Sequence, residues 1–65
     1  MKNYSPREVM KILEKNDWKL FRIKGDHYIF KKEGQKYLTT IPVSKKTISI
    51  GTLKAIEKQT QIKFK

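Results

Sequence analysis

His27 is the only histidine in the chain, and it lies in the short segment Gly25-Asp26-His27. The chain has no cysteine, and its 6 acidic residues are scattered, with Asp26 alone beside the histidine. Metal sites need several such ligands together, so we predict no metal and no cofactor. An unperturbed imidazole titrates near pH 6.5, which suits the transfer of one proton at neutral pH. A lone histidine is nevertheless more often packed or solvated than catalytic, so the chemistry of His27 needs further support.

The balance of charges indicates what kind of molecule the protein meets. Lys and Arg number 16 against 6 Asp and Glu, a formal net charge of +10 in 65 residues. Nine basic and four acidic residues precede or include Lys32, and seven and two follow it, so each part carries +5. The charge therefore belongs to the folded body, and a polyanion such as nucleic acid is the expected partner. A surface that serves only solubility is the less favoured alternative.

Residues 1–65 are expected to form a single domain, because a chain of this length can bury only a thin core. Its apolar stretches are far shorter than the ~20 residues that span a bilayer, and Met1–Pro6 lacks the apolar run of a secretory signal. Neither predicted helix has the apolar face of an interfacial membrane helix. We expect no membrane partner and a cytoplasmic location.

The amino-terminal pattern predicts a helix from about Pro6 to Lys15. Ser5 can cap it, Pro6 suits the first helical position, and Glu8 completes a capping box. Apolar residues then recur at helical spacing on one face, at Val9, Met10, Ile12 and Leu13. Asn16-Asp17 ends the pattern.

Three segments rich in strand-forming residues follow, Trp18–Ile23, His27–Lys32 and Lys36–Ile41. Lys24-Gly25-Asp26 is a turn signal, Glu33-Gly34-Gln35 is a short connection, and Pro42 ends the third strand. Short connections between consecutive strands predict an antiparallel meander. Alternation along the second strand places His27, Ile29 and Lys31 on one face, so they point away from the helices if Phe30 points toward them.

A second helix is predicted after a lysine-bearing loop, with Ser49 as its cap. Its apolar face is expected to consist of Ile50, Leu53, Ala55 and Ile56. Ile62–Lys65 alternates and is left open as a short strand or a frayed end. The order α-β-β-β-α predicts an α+β fold in which both helices cover one face of a three-stranded antiparallel sheet. Double-stranded-RNA-binding domains have this architecture.

The segment Trp18–Phe30, centred on Gly25-Asp26-His27, resembles the HicA toxin family, whose members carry Gly-x-His between two strands. Ile41-Pro42-Val43 and the Gly-Thr-Leu helix start within Gly51–Ile56 resemble the family as well, so the likeness covers nearly the whole chain. It implies a double-stranded-RNA-binding-like fold and ribosome-independent mRNA cleavage that depends on the histidine. It also implies neutralisation by a HicB antitoxin in a type II toxin-antitoxin system, a class associated with stress responses.

Three positions depart from the family pattern. Many relatives have a second histidine directly after the first, where this chain has Tyr28, and another after the proline of the third strand, where it has Ser44. These two departures exclude a mechanism with two histidines. Gln59-Thr60-Gln61 ends the second helix where a small residue and glycine are common, so the geometry of that end stays open.

With the resemblance, His27 is predicted to be the catalytic base that removes a proton from the 2′-hydroxyl of RNA. The proton for the departing 5′-oxygen is left to water, Tyr28 or a lysine. The RNA-binding residues are predicted to be Arg22, Lys24 and Lys31, which would meet the charge on the phosphate, and Lys45, Lys46 and Gly51 near the second helix. Such a site predicts a slow, metal-independent reaction that does not cut DNA, because DNA lacks the 2′-hydroxyl.

Several assignments remain open at this point. Gly51 serves either the approach of a phosphate or close packing. For Asp26, a role in the turn is favoured over a role in orienting His27. For Trp18 and Phe21, a place in the core or on a sheet face is favoured over a role in stacking bases. Two other functions also fit the charge: a non-catalytic RNA-binding module of the same fold, and an adaptor that binds DNA or an acidic protein.

Overall fold

A computed structural model describes residues 3–64 of the chain. Its elements follow the predicted order: α1 (Pro6–Lys15), β1 (Lys19–Lys24), β2 (His27–Lys31), β3 (Thr39–Pro42) and α2 (Ile50–Thr60). The strands form one antiparallel sheet in the order β1-β2-β3, with β2 in the centre. The predicted α+β fold is confirmed.

Local hydrogen bonds fix both ends of α1. The Glu8 N–H donates to Ser5 Oγ at 3.2 Å and the Ser5 N–H donates to Glu8 Oε1 at 2.9 Å, which is the predicted capping box. At the other end Asp17 is left-handed with φ 69°, and the Trp18 N–H donates to the Leu13 carbonyl at 3.0 Å. This turn directs the Trp18 ring into the core, where it is buried.

The hydrophobic core lies between the sheet and the two helices. Phe30 of β2 and Ile41 of β3 supply the floor of the core from the sheet, and both are buried. The buried apolar residues that pack together are Tyr4, Val9, Leu13, Trp18, Phe30, Ile41, Ile48, Leu53, Ile56 and Phe64. Since residues of both helices join this one cluster, α1 and α2 cover the same face of the sheet.

The two ends of the described chain meet at this core. The Ile48 N–H donates to the Tyr4 carbonyl at 2.8 Å, in an isolated antiparallel bridge. The Phe64 ring packs edge-on against Tyr4 with ring centroids 5.3 Å apart, and the Phe64 N–H donates to Glu57 Oε2 at 2.7 Å. The tail therefore packs without forming a strand over residues 61–64, and Lys65 lies outside the described residues.

The third strand is shorter than predicted. It begins at Thr39 instead of Lys36, and it includes Pro42. Thr39 is fully buried and its hydroxyl donates to Gln59 Oε1 of α2 at 2.9 Å, whereas Tyr37 and Leu38 are exposed in the preceding connection. This contact with α2, together with the burial of Thr39, fixes where pairing starts.

The buried face of α2 differs from the prediction at two positions. Leu53 and Ile56 are buried as expected, but Ala55 is exposed because it lies two residues from Leu53, on the opposite side of the helix. Ile50, in the first turn, is half exposed. Thr60 takes the last buried position, and its hydroxyl donates to the Ile56 carbonyl at 2.7 Å.

Candidate functional site

Cross-strand pairing shows which side chains share the face of the sheet away from the helices. His27 lies opposite Lys24 of β1 and Pro42 of β3, and Ile29 lies opposite Arg22 and Thr40. Because Phe30 points into the core, alternation turns its neighbours on β2 to the other side, as the sequence predicts. We call this side the outer face, and its residues are Lys19, Arg22, Lys24, His27, Ile29, Lys31, Thr40 and Pro42.

A two-residue turn places His27 at one end of the outer face. Gly25 and Asp26 join β1 to β2, and Gly25 has φ 60° whereas Asp26 does not have a positive φ. Glycine at the first turn position with a positive φ is the pattern of a type II′ hairpin. The turn sets Lys24 directly across from His27, so a cation faces the imidazole on the neighbouring strand.

Asp26 contacts the histidine that follows it. Its Oδ1 lies 3.3 Å from His27 Nδ1, and the two side chains are about half exposed, 53% and 55%. A carboxylate only accepts hydrogen bonds, so this contact favours the tautomer that carries its proton on Nδ1. In a neutral imidazole the unprotonated nitrogen is then Nε2, which is the form that a general base requires.

The loop after β3 supports Asp26 from the other side. The Ser44 hydroxyl donates a hydrogen bond to the Asp26 carboxylate and is the main reason that the pKa of Asp26 lies below its usual value. The backbone N–H of Asp26 lowers this pKa further, and so do the charge of Lys45 and that of the His27 imidazole whenever it is protonated. The Val43 N–H also donates to the Asp26 carbonyl at 2.9 Å, which holds the loop against the hairpin turn.

The predicted RNA-binding residues are not all brought together. Arg22, Lys24 and Lys31 lie on the outer face with His27, and Lys45 lies close enough to Asp26 to affect its pKa. Within residues 3–64, no contact described in the structure joins Lys46 or Gly51 to His27. A Cβ at Gly51 would meet no atom within 4 Å, so close packing does not explain this glycine.

The sequence of residues 6–62 matches the family model of the HicA toxin of bacterial toxin-antitoxin systems. The matched residues include both helices and all three strands. The chain belongs to the HicA toxin family. It is therefore a toxin of a toxin-antitoxin system, and an antitoxin is its implied partner. No curated protein matches the chain. The matched span contains His27 and every other predicted site residue.

The two positions where this HicA chain lacks a second histidine differ in the structure. Tyr28 pairs with Ile41 and lines a depression with Met10 and Leu20 on the helix side of the sheet. Its hydroxyl therefore lies on the opposite face of the sheet from His27, which does not fit the predicted role of Tyr28 as a proton donor. Ser44, by contrast, contacts the site through its hydrogen bond to Asp26.

Sequence reasoning undervalued two residues of this HicA site. The sequence predicts Asp26 in the turn, and it lies there, but its carboxylate also reaches His27 Nδ1. Its position beside the histidine was the available signal. From the sequence, Ser44 stands out only as a position where many relatives have a histidine. Its role depends on the packing of the loop after β3 against the hairpin turn, which no local sequence pattern reveals.

Residues 3–64 contain neither a metal-binding cluster nor a membrane-spanning helix. No three or more His, Cys, Asp or Glu residues there come close enough together to hold a metal ion. In the same part of the chain, neither helix has the length and apolar character needed to cross a membrane. The histidine end of the outer face is thus the candidate site that the described residues offer.

Proposed function

We propose that this HicA toxin is an endoribonuclease that cleaves mRNA without a ribosome or a metal ion, with His27 as its single catalytic histidine. The observation that carries the proposal is the environment of His27: an exposed imidazole whose Nδ1 contacts a carboxylate, on an open face that also holds Arg22 and Lys24. A polyanion suits the net charge of +10.

In the proposed reaction, His27 Nε2 removes the proton from a 2′-hydroxyl of the RNA. The 2′-oxygen forms a bond to the adjacent phosphorus while the bond from phosphorus to the 5′-oxygen breaks. The leaving oxygen takes a proton from water or from Lys24, and the products are a 2′,3′-cyclic phosphate and a 5′-hydroxyl. Arg22 and Lys24 stabilise the negative charge that builds on the phosphate oxygens.

Further phosphate contacts are assigned to residues outside the immediate surroundings of His27. Lys31 lies on the same face of β2, four residues from His27. Lys45 lies close to Asp26. Lys46 and the exposed backbone at Gly51, near the start of α2, would hold phosphates farther along the RNA. These contacts supply affinity that depends on salt, whereas His27 supplies the chemistry.

The proposed partner is a HicB-like antitoxin that covers His27. Masking one exposed catalytic group is the simplest way to inhibit an enzyme of this size, and the imidazole is more than half exposed. Hydrogen exchange on the toxin with its antitoxin, which is expected to be encoded next to it, should show protection at the hairpin turn over residues 24–27. A complex structure that leaves His27 open to solvent would contradict this.

The test compares wild type with His27→Ala on single-stranded RNA, duplex RNA and DNA, with EDTA present. General base catalysis contributes roughly 10²–10⁴-fold, so His27→Ala should lose at least about a hundredfold in the rate of RNA cleavage. Wild type should leave DNA intact, and mass spectrometry should find cyclic phosphate ends. Lys54→Ala, an exposed change on α2 and away from this face, is the matched control and should cleave like wild type.

Two outcomes would overturn the catalytic role. If wild type and His27→Ala cut RNA equally, the cleavage does not depend on the histidine. If neither protein cuts RNA while both bind it, the alternative of a non-catalytic RNA-binding module is correct. Circular dichroism on both proteins verifies that the substitution leaves the fold intact.

A further inference from the structure

Phe21 interrupts the regular pairing of β1. The register passes from Leu20, opposite Phe30, directly to Arg22, opposite Ile29, so Phe21 is an extra residue in a β-bulge. Bulges near functional sites often redirect a side chain. Here the bulge keeps Leu20 on the helix side and Arg22 on the outer face, positions that strict alternation would place on one side.

The ring of Phe21 points toward the outer face. Lys31 belongs to the outer face, and its Nζ lies 5.3 Å from the centroid of the Phe21 ring, within the range of a cation–π contact. The Phe21 side chain is 52% exposed. An aromatic ring is therefore presented to solvent among cations.

The surroundings of this ring favour an anionic, planar ligand. Phe21 lines a shallow depression with Leu20, Lys19, Lys31 and Glu33. Two lysines outnumber the one glutamate there, and Arg22 adds a third cation on the outer face beside the bulge. A nucleotide fits this depression, because its phosphate carries the negative charge that the lysines attract and its base offers a flat surface that can stack on the ring.

We propose that the outer face binds RNA as a single strand, with one base stacked on Phe21, on the basis that His27 cleaves RNA as proposed above. In a duplex the bases are already paired and stacked, so an exposed ring cannot insert between them without disrupting the helix. Single strands offer free base faces, and proteins commonly bind them with an aromatic ring in a cationic groove. The phosphates follow Arg22 and Lys24 toward His27.

The spacing on β2 places the stacked base near the cleaved bond. Lys31, next to the ring, is four residues from His27, which corresponds to about 13 Å along a strand. Stacked bases rise about 3.4 Å per nucleotide, and an unstacked strand covers more distance with each. The base on Phe21 therefore belongs to a nucleotide roughly two to four positions from the scissile phosphate.

The test uses a short single-stranded RNA in which every sugar is 2′-O-methylated, so that it cannot be cut, and one base is 2-aminopurine. Stacking on an aromatic ring quenches the fluorescence of this base. Wild type should bind the single strand and quench a 2-aminopurine placed in the expected window. The same oligonucleotide annealed to its complement should bind more weakly.

Substitutions at Phe21 provide the decisive comparison. Phe21→Ala should raise Kd for the single strand about 5- to 150-fold, the range that loss of one stacked base gives, and should abolish the quenching. Phe21→Trp should restore both. Leu38→Ala removes an apolar side chain of comparable exposure, 43%, in the connection before β3, and should leave Kd unchanged.

The proposal is overturned if Phe21→Ala binds and quenches like wild type, if wild type does not bind the single strand, or if the duplex binds more tightly and independently of Phe21. Its failure is distinguishable from failure of the nuclease. If Phe21→Ala loses binding but wild type does not cleave natural RNA, the proposed stacking site is supported and the proposed nuclease activity is contradicted. If cleavage depends on His27 but Phe21→Ala binds RNA normally, the nuclease activity is supported and the stacking site is contradicted.

Discussion

The two faces of the sheet are made of alternate residues of the same strands, and they differ in burial and charge. On the helix side, Phe30 and Ile41 are buried and pack with residues of both helices. On the outer face, Arg22, Lys24 and His27 are exposed, and their side chains do not pack in the hydrophobic core. Folding therefore constrains the helix side strongly and the outer face weakly.

The difference shows which residues are present for a reason other than stability. Exposed lysines and arginines contribute little to the free energy of unfolding, and their mutual repulsion in a chain of net charge +10 lowers it. A face of this composition is explained by a ligand of opposite charge. The comparison therefore predicts that substitutions on the helix side change stability, whereas those on the outer face change binding or cleavage.

The largest expected effect is on the helix side, in Phe30→Ala. Removing a buried phenyl ring leaves a cavity and should lower the free energy of unfolding by about 3–5 kcal/mol. Domains have only about 5–15 kcal/mol in total, so the variant should be close to unfolded. Its neighbour Ile29→Ala, on the outer face, should cost about 1 kcal/mol. Urea unfolding followed by fluorescence of the buried Trp18 measures both, and equal losses would contradict the distinction between the faces.

The next effect is on the reaction, in Asp26→Asn. An asparagine can present an N–H to His27 Nδ1, which favours the wrong tautomer of the imidazole. Orientation is one part of the roughly 10²–10⁴-fold that a general base supplies, so the rate of RNA cleavage should fall on the order of tenfold or more. Single-turnover kinetics should show this loss in the chemical step, not in Kd. An unchanged rate would mean that Asp26 is only a turn residue.

Asp26 also gives a pH dependence whose sign is fixed by its lowered pKa. Because the folded pKa lies below the unfolded value, the charged carboxylate stabilises the fold at pH values above the unfolded pKa. This contribution disappears as the pH falls through the folded pKa. Thermal unfolding of wild type should therefore lose stability in the acid range relative to Asp26→Asn, and Ser44→Ala should narrow the difference by removing the main cause of the shift.

A smaller effect is expected from single cations on the outer face. Lys24→Gln should make the affinity for RNA less sensitive to salt, with the slope of log K against log salt reduced by about 0.7, the value for one phosphate of a single strand. Lys54→Gln, an exposed lysine on α2, is the matched control and should leave the slope unchanged. Equal reductions in the two variants would mean that RNA is attracted by net charge and not by the outer face.

Much of the fold was predictable because it depends on local signals. Pro6–Lys15 has its cap, its apolar stripe and its terminator in sequence, and the structure has the same helix. The Gly25-Asp26 turn and the alternation on β2 likewise define the hairpin and the orientation of His27. These features require only propensities and the periodicity of side chains along the backbone.

The rest depends on contacts between distant residues. The bulge at Phe21 changes which side chains of β1 share a face, and strict alternation does not anticipate it. The Tyr4–Ile48 bridge and the burial of Phe64 join the ends of the chain through the core. The hydrogen bond between Ser44 and Asp26 arises in the same way, from a loop that the pairing of β2 with β3 brings back to the hairpin turn.

The smallest expected effect concerns Gly51, which lies on neither face of the sheet. A methyl group there meets no atom within 4 Å, so Gly51→Ala should raise the free energy of unfolding by about 0.5–1 kcal/mol through the lower conformational entropy of the unfolded chain. If an RNA phosphate approaches the backbone N–H groups at the start of α2, the same methyl should weaken RNA binding about 2- to 10-fold, the equivalent of one hydrogen bond. Urea unfolding and RNA titration of one variant measure both changes. Higher stability with lower affinity supports the phosphate contact, because a glycine with a purely structural role would not change the two in opposite directions, whereas higher stability with unchanged affinity would remove Gly51 from the RNA-binding residues.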